Sequence, residues 1–100
     1  MLRKLRGGRY RIGAELDLHG LRAGEARAAL AEFLREARGR GTRCVRIVHG
    51  KGRGSGRRGP VLKPLVTDYL ARREDVLAFC TARPNDGGSG ALYVLLAAPG

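Results

Sequence analysis

The chain has 100 residues, a length that suits one domain, and 43% of them are hydrophobic, which is enough for a modest core. Its formal net charge is +11, with 20 basic residues against 9 acidic ones, and all but three of the basic residues are Arg. The guanidinium group binds phosphate in a bidentate manner, so this charge predicts a polyanionic partner, for which nucleic acid is the first candidate. An anionic membrane surface is the competing partner, but no basic amphipathic helix with bulky aromatic anchors is present.

Two further classes of protein are disfavoured by the sequence. No apolar run is long enough to span a membrane, and the first 13 residues lack the apolar core of a signal peptide. The two cysteines, Cys44 and Cys80, have no CxxC spacing and lie in apolar strand-like segments, so they are a poor zinc or redox signal. We therefore expect a cytoplasmic, monomeric protein with reduced thiols, no membrane contact and no dedicated metal site.

The chain begins with a basic segment, residues 1–13, which we interpret as an arm that either follows a nucleic-acid backbone or is a disordered lead-in. Residues 14–98 are predicted to form the domain. Within it, residues 14–19 alternate apolar and polar side chains and predict a strand, with Asp17 and His19 on its polar face. Side chains two residues apart on one strand face seldom form an ideal hydrogen bond with each other.

Helix and strand signals then alternate along the chain. Residues 21–38 carry apolar side chains at helical spacing, residues 42–48 are rich in β-branched side chains, and Pro60 opens a second helix over residues 60–73. Residues 76–82 and 91–97 predict two more strands. A strand, a helix and another strand form a βαβ unit, so the first two strands are expected to be parallel.

Parallel strands end at the same edge of a sheet, and this brings two histidines together. His19 follows the first predicted strand and His49 the second, so both are expected at one edge. Residues 50–60 add five glycines, one Lys and three Arg, and they lead into a helix N-terminus. Glycine N–H groups, cations and a helix N-terminus suit phosphate binding, although the spacing is not that of a Walker A motif. The alternative is a flexible, solvated basic loop.

These groups also suit cleavage of a phosphodiester. Two histidines can divide the roles of general base and general acid, and Lys51 can neutralise charge that develops on phosphorus. Asp17 either orients His19 or binds a divalent ion, Mg or Mn, that activates water. Gly88, Ser89 and Gly90 offer N–H groups to an anion or simply turn the chain, and turning is the favoured interpretation.

Three ordered motifs resemble those of the Smr (small MutS-related) domain: residues 16–20 (LDLHG), residues 49–52 (HGKG) and residues 87–91 (GGSGA). The resemblance covers about residues 12–97. It implies an α/β fold, a two-layer sandwich of βαβαββ order with a mixed four-stranded sheet and two helices. It also implies an endonuclease with little sequence specificity, one that nicks or cleaves DNA or cleaves messenger RNA on stalled ribosomes. Many members have a loop that contains His or Ser after the second motif, whereas residues 53–58 of this chain (RGSGRR) contain no third histidine.

We accordingly predict that the reaction is carried out by Asp17, His19, His49 and Lys51. The residues predicted to hold the nucleic-acid backbone are Gly20, Gly50, Gly52, Arg53, Arg57, Arg58, Lys63, Gly88, Ser89 and Gly90. The principal alternative is a non-catalytic module that binds nucleic acid or the ribosome with the same phosphate-binding groups. An enzyme acting on small nucleotides is the least favoured function, because few aromatic side chains are available to stack on a base.

Overall fold

The computed structural model describes residues 2–50 and 62–98, which form three helices and four strands. The predicted order of strands and helices is confirmed from residue 14 onwards, with bounds that differ by a few residues. The elements are α1 (Leu2–Arg6), β1 (Ala14–Asp17), α2 (Ala23–Gly39), β2 (Cys44–Val48), α3 (Leu62–Ala71), β3 (Val76–Thr81) and β4 (Ala91–Leu96).

The four strands form one mixed sheet in the order β1-β2-β4-β3. β1 and β2 are parallel, as predicted for the βαβ unit, whereas β4 lies between β2 and β3 and is antiparallel to both. In the register of the parallel pair, Asp17 lies opposite Val48. The last residue of β1 is therefore beside the last residue of β2, and the two segments that follow begin at the same edge of the sheet.

One face of the sheet is covered by α2 and α3. The side chains of α2 that face the sheet recur every three or four residues, and burying each leucine among them contributes about 1.5–3 kcal/mol. The Glu25 carboxylate accepts the backbone N–H of Arg22 at 3.0 Å, which satisfies one donor at the start of α2. The main core between these helices and the sheet comprises Leu18, Ala26, Leu30, Leu34, Ala37, Val45, Ile47, Val66, Leu70, Leu92, Val94 and Leu96.

The opposite face of the sheet is partly covered by α1, and here the sequence prediction needs a correction. Residues 1–13 were predicted to be an arm, and two helices were expected in all. Leu2–Arg6 instead form a third helix, whose Leu5 is buried against Tyr93 and Leu95. A five-residue helix with one inward-facing leucine has no detectable apolar repeat, and it is stabilised by its contacts with the sheet rather than by its own propensity.

Both cysteines are free thiols, as expected. Cys44 is buried on the α1 side of the sheet, and burial raises the pKa of its thiol to about 11, so it stays protonated at neutral pH. In the part of the chain that the structure describes, no helix is both long enough and apolar enough to cross a membrane.

Candidate active site at the carboxyl edge of the parallel strands

The first motif forms a tight turn immediately after β1. Leu18 is fully buried in the main core and donates its N–H to the Val48 carbonyl at 2.7 Å, which ties the turn to β2. The Asp17 carboxylate accepts two hydrogen bonds from His19, one from the backbone N–H at 3.0 Å and one from the imidazole Nδ1 at 2.7 Å. Gly20 continues the turn with a φ of 85°, a conformation that favours glycine.

The side-chain hydrogen bond between Asp17 and His19 is shorter than two side chains on the same face of a strand would usually form. The strand ends at Asp17, so His19 is not held in the extended conformation that would keep the two side chains parallel. The backbone turns, and one carboxylate oxygen accepts both the N–H and the Nδ1 of the same residue. The expectation of a poor contact was therefore wrong, because it assumed that the strand extends to His19.

This contact also fixes the chemistry of the imidazole. An ionised carboxylate can only accept, so the proton of neutral His19 lies on Nδ1 and the lone pair lies on Nε2. The His19 side chain is 71% exposed and that of Asp17 is 53% exposed. The hydrogen bond from His19 lowers the pKa of Asp17, which outweighs the opposing effect of burial and keeps the carboxylate charged. The pair thus presents an oriented base to the solvent.

The second motif lies against the first, as the parallel strands predict. The backbone N–H groups of His49 and Gly50 both donate to the Gly90 carbonyl, at 2.9 and 3.0 Å. Gly50 has a φ of 88°, and a Cβ at this position would lie 3.2 Å from the Cβ of His19. The two motifs therefore meet at Gly50 and His19, and only a residue without a side chain fits this contact comfortably.

The two histidines have different environments. His49 is only 4% exposed, and its Nδ1 donates to the Gly50 carbonyl at 2.8 Å, which leaves the lone pair on Nε2. This Nε2 is buried, and within residues 2–50 and 62–98 it has no hydrogen-bond partner. Burial lowers the pKa of His49, and the nearby Lys63 ammonium lowers it further, so the ring is neutral at pH 7. His19 is accessible to a substrate, whereas His49 is enclosed.

Protonation of His49 is expected to destabilise the fold. Its pKa in the folded chain lies below the ordinary value of 6.5, so the unfolded chain binds more protons as the pH falls. The contribution of neutral His49 to stability is complete above pH 6.5 and is lost as the pH drops below that value. Denaturant unfolding at several pH values should show a free energy that falls by at most about 1.4 kcal/mol per pH unit from this group.

His19 provides the matched control, because the chain has only these two histidines. The His49→Gln variant should lose most of the pH dependence in the range just below pH 6.5, while the exposed His19→Gln variant should keep it. An identical pH dependence in both variants would show that burial of His49 does not determine the acid sensitivity.

Sequence reasoning missed one residue that supports this edge of the sheet, Arg46 in β2. Its guanidinium forms an ion pair with Glu15 of β1 and donates to the Asp86 carbonyl, and the Asp86 carboxylate accepts the hydroxyl of buried Tyr93. These contacts connect the sheet to the turn that ends at Gly90. A single arginine inside an otherwise apolar strand, residues 44–48, was the available signal, since a charge there requires partners.

A cleft opens between this turn and the ends of β1 and β2. It has a volume of about 330 Å³, which is at the lower end of the range for small-ligand sites. Asp17 and Gly50 lie on its wall next to His19. Glu15, Arg46, Val48, Gly87 and Gly90 complete its lining.

The remaining predicted site residues are placed as follows. Gly88 and Gly90 use their N–H groups within the turn, donating to the carbonyls of Arg83 and Gly87 at 3.0 Å, which favours a turning role over an anion-binding one. Lys63 lies in the first turn of α3. Lys51, Gly52, Arg53, Arg57 and Arg58 are outside the described residues.

Three comparisons with known proteins bear on this site. A family model, the Smr domain, matches residues 16–97. The chain is 41% identical over 96 residues to the probable DNA endonuclease SmrA of Escherichia coli (strain K12), covering 96% of this chain and 51% of that protein. It is 36% identical over 95 residues to the ribosome rescue factor SmrB of Tolumonas auensis, covering 95% and 51% of the two chains. The chain thus spans about half the length of these curated relatives.

The fold has experimental counterparts. The crystal structure of YdaL, a stand-alone small MutS-related protein from Escherichia coli, aligns with a TM-score of 0.83 at 41% identity, covering 96% of this chain and 73% of that one. The Smr domain of Thermus thermophilus MutS2 aligns with a TM-score of 0.72 at 36% identity, covering 83% and 96%. The predicted α/β fold with a mixed four-stranded sheet is confirmed by these likenesses.

Proposed function

Since the chain belongs to the Smr domain family, we propose that it is a nucleic-acid endonuclease with little base-sequence preference. The observation that carries the proposal is the pair formed by Asp17 and His19, in which an exposed imidazole is oriented by a carboxylate 2.7 Å away. The names of two relatives, a probable DNA endonuclease and a ribosome rescue factor, support a substrate of this class.

His19 is the proposed general base. Asp17 holds the proton on Nδ1, so Nε2 is free to take a proton from the attacking oxygen. On RNA that oxygen is the 2′-hydroxyl, which forms a bond to phosphorus while the bond to the 5′-oxygen breaks, and water protonates the leaving oxygen. On DNA, which has no 2′-hydroxyl, the base instead takes a proton from a water molecule, whose oxygen bonds to phosphorus while one ester P–O bond breaks and solvent protonates the leaving oxygen. In the competing form of the proposal, Asp17 would hold Mg or Mn, and the ion would supply an activated water.

The other predicted site residues have supporting roles in this proposal. His49 is enclosed and neutral, so it positions Gly50 against His19 and holds the second motif rather than touching the substrate. Lys51 would neutralise charge that develops on phosphorus, whereas Lys63, Arg53, Arg57 and Arg58 would bind the phosphates that flank the scissile bond. Because such contacts read charge and not base edges, cleavage would depend little on sequence.

A purely binding role is less well supported. A module that only holds phosphates gains nothing from an exposed carboxylate at the centre of its site, because Asp17 repels the phosphate that the module must attract. The same carboxylate is useful in catalysis, since it fixes the tautomer of His19 and stabilises the imidazolium that forms.

Cleavage of end-labelled single-stranded RNA and of supercoiled plasmid tests the proposal directly. The purified protein should be assayed with magnesium, with manganese and with EDTA, beside His19→Ala protein purified in the same way. RNA products that end in a 2′,3′-cyclic phosphate in EDTA indicate the metal-free reaction with His19 as base. Plasmid nicking that requires a metal indicates DNA as substrate and Asp17 as a metal ligand.

The His19→Ala protein distinguishes the activity of this chain from that of a contaminating nuclease. We expect it to bind nucleic acid nearly as well as the parent protein and to cleave neither substrate. Equal cleavage by the two proteins would remove His19 from the reaction. Tight binding with no cleavage by the parent protein, on isolated nucleic acid and on ribosomes with bound messenger RNA, would favour the non-catalytic module.

A further inference from the structure

The short helix α1 concentrates positive charge on the surface. Arg3, Lys4 and Arg6 are exposed and follow one another closely, and Arg9 continues the series just beyond the helix. None of these four takes part in the ion pairs found among residues 2–50 and 62–98. Like charges three residues apart, as in Arg3 and Arg6, destabilise a helix by a few tenths of a kcal/mol. A local arrangement that costs stability is more often found where a surface has a function.

These cations are held in place by the rest of the domain. Leu5 is 1% exposed and packs on the sheet, and the Arg83 guanidinium donates to the Gly7 carbonyl at 3.1 Å. Gly8, at a φ of 72°, leaves room for that guanidinium, which would lie 3.0 Å from a Cβ at this position. α1 is thus attached to the sheet at two points, so its charged side chains extend from a fixed backbone and not from a flexible arm.

α1 lies on the same side of the sheet as the candidate active site. Leu16, Val45 and Ile47 face the core under α2 and α3, so the alternate residues of β1 and β2, including Asp17, face the other way. Leu5 packs on this second face, where it contacts the β3–β4 half of the sheet. Across the sheet, β4 lies two strand positions from β1, and β3 lies three positions from it. At the usual strand spacing, α1 is therefore roughly 10–15 Å across the sheet from β1, which carries Asp17.

We propose that the basic face of α1, formed by Arg3, Lys4, Arg6 and Arg9, binds the phosphate backbone of the nucleic acid that the active site cleaves. The inference rests on the proposed function for the identity of the partner. Successive phosphates of one strand in a duplex are 3.4 Å apart along the axis, so α1 reaches phosphates about three to four nucleotides from the scissile bond. An anionic membrane fits this surface less well, because Leu5 is buried in the protein and leaves no apolar face to insert.

Two triple variants with the same change in net charge test the position of the contact. One carries Arg3→Gln, Lys4→Gln and Arg6→Gln on α1; the other carries Arg27→Gln, Arg35→Gln and Arg40→Gln, at exposed positions on the helix-covered side. Both are made in the His19→Ala background so that the nucleic acid stays intact. Binding of a labelled 20-base-pair duplex is measured as Kd at several salt concentrations, and thermal unfolding confirms that both variants are folded.

For the α1 variant we expect the slope of log Kd against log salt to fall by roughly two to three and the affinity at low salt to drop at least tenfold. The control variant at Arg27, Arg35 and Arg40 should change the slope by less than one. Equal changes in the two variants would overturn the inference, because only the total charge would then matter. Unaltered duplex binding by the α1 variant, with lost binding to vesicles rich in phosphatidylserine, would overturn it in favour of a membrane.

A third variant separates charge from placement. Leu5→Ala keeps every cation and removes the side chain that holds α1 on the sheet. Its slope of log Kd against log salt should therefore lie between those of the parent protein and the α1 triple variant. A slope equal to that of the parent would contradict the requirement for a fixed helix. Cleavage by the parent protein is measured separately, so a chain that binds through α1 and does not cleave refutes the proposed function alone.

Discussion

Replacing Asp17 with asparagine is expected to slow cleavage by about 100- to 10,000-fold while changing the affinity for nucleic acid by less than threefold. The carboxylate now accepts the His19 Nδ1 proton at 2.7 Å and keeps the lone pair on the exposed Nε2. Asparagine would keep its amide oxygen at this place, because the His19 backbone N–H donates to the same atom. The tautomer would stay, but the negative charge that stabilises the imidazolium formed when Nε2 takes a proton would be lost. Single-turnover cleavage rates at saturating enzyme, together with Kd values from binding assays, measure the two effects separately.

Glu36→Gln is the matched control for this substitution, because it removes one negative charge from an exposed position on α2, on the other side of the sheet. It should leave the rate within a factor of two of the parent rate. If Asp17→Asn cleaved at the parent rate in EDTA, the negative charge of Asp17 would have no part in the reaction. A rate that falls for both variants alike would mean that the total charge matters and its position beside His19 does not.

Gly50→Ala is expected to reduce both stability and cleavage. The φ of 88° costs about 1–2 kcal/mol for a residue with a Cβ, which should appear as a lower free energy of unfolding. The new Cβ would also lie 3.2 Å from the His19 Cβ, so His19 has to move by a few tenths of an ångström from Asp17. Because reaction rates depend steeply on such positions, we expect cleavage to slow by about tenfold or more.

Gly41→Ala provides the control for the effect of the positive φ alone, without a contact to the active site. Gly41 has a similar φ of 79°, lies beyond the end of α2, and has no atoms within 4 Å of the position that a Cβ would take. It should lose a similar free energy of unfolding and keep the parent cleavage rate at temperatures where it is folded. If both variants cleaved equally well, the contact between Gly50 and His19 would be unimportant for the reaction.

The sequence predicts most of what brings this site together. The alternation around Leu16 and Leu18 and the β-branched run that ends at Val48 define two strands, and the helix between them makes those strands parallel. Convergence of the two motifs follows from that geometry alone. The contact between Gly50 and His19 confirms it, since it joins residues that are 31 positions apart in the chain.

The features that the sequence does not predict depend on tertiary contacts. α1 has no periodicity of its own, and Leu5 is helical because the sheet offers it a surface. His49 is buried where its backbone N–H donates to the carbonyl of Gly90, a residue 41 positions further along the chain. Residue type alone does not distinguish the exposed His19 from the enclosed His49, and this difference in accessibility is the basis of the different roles proposed for them.

The position of β4 has a consequence for how the domain folds. β2 and β3 have no sheet contact with each other, and each pairs with β4, whose six residues are all buried. Until residues 91–96 are in place, β3 has no strand partner among the described residues and the main core lacks Leu92, Val94 and Leu96. β4 therefore completes the sheet, so we expect the sheet to form cooperatively. Before β4 pairs with β2 and β3, the edges of those strands are exposed and most prone to aggregation.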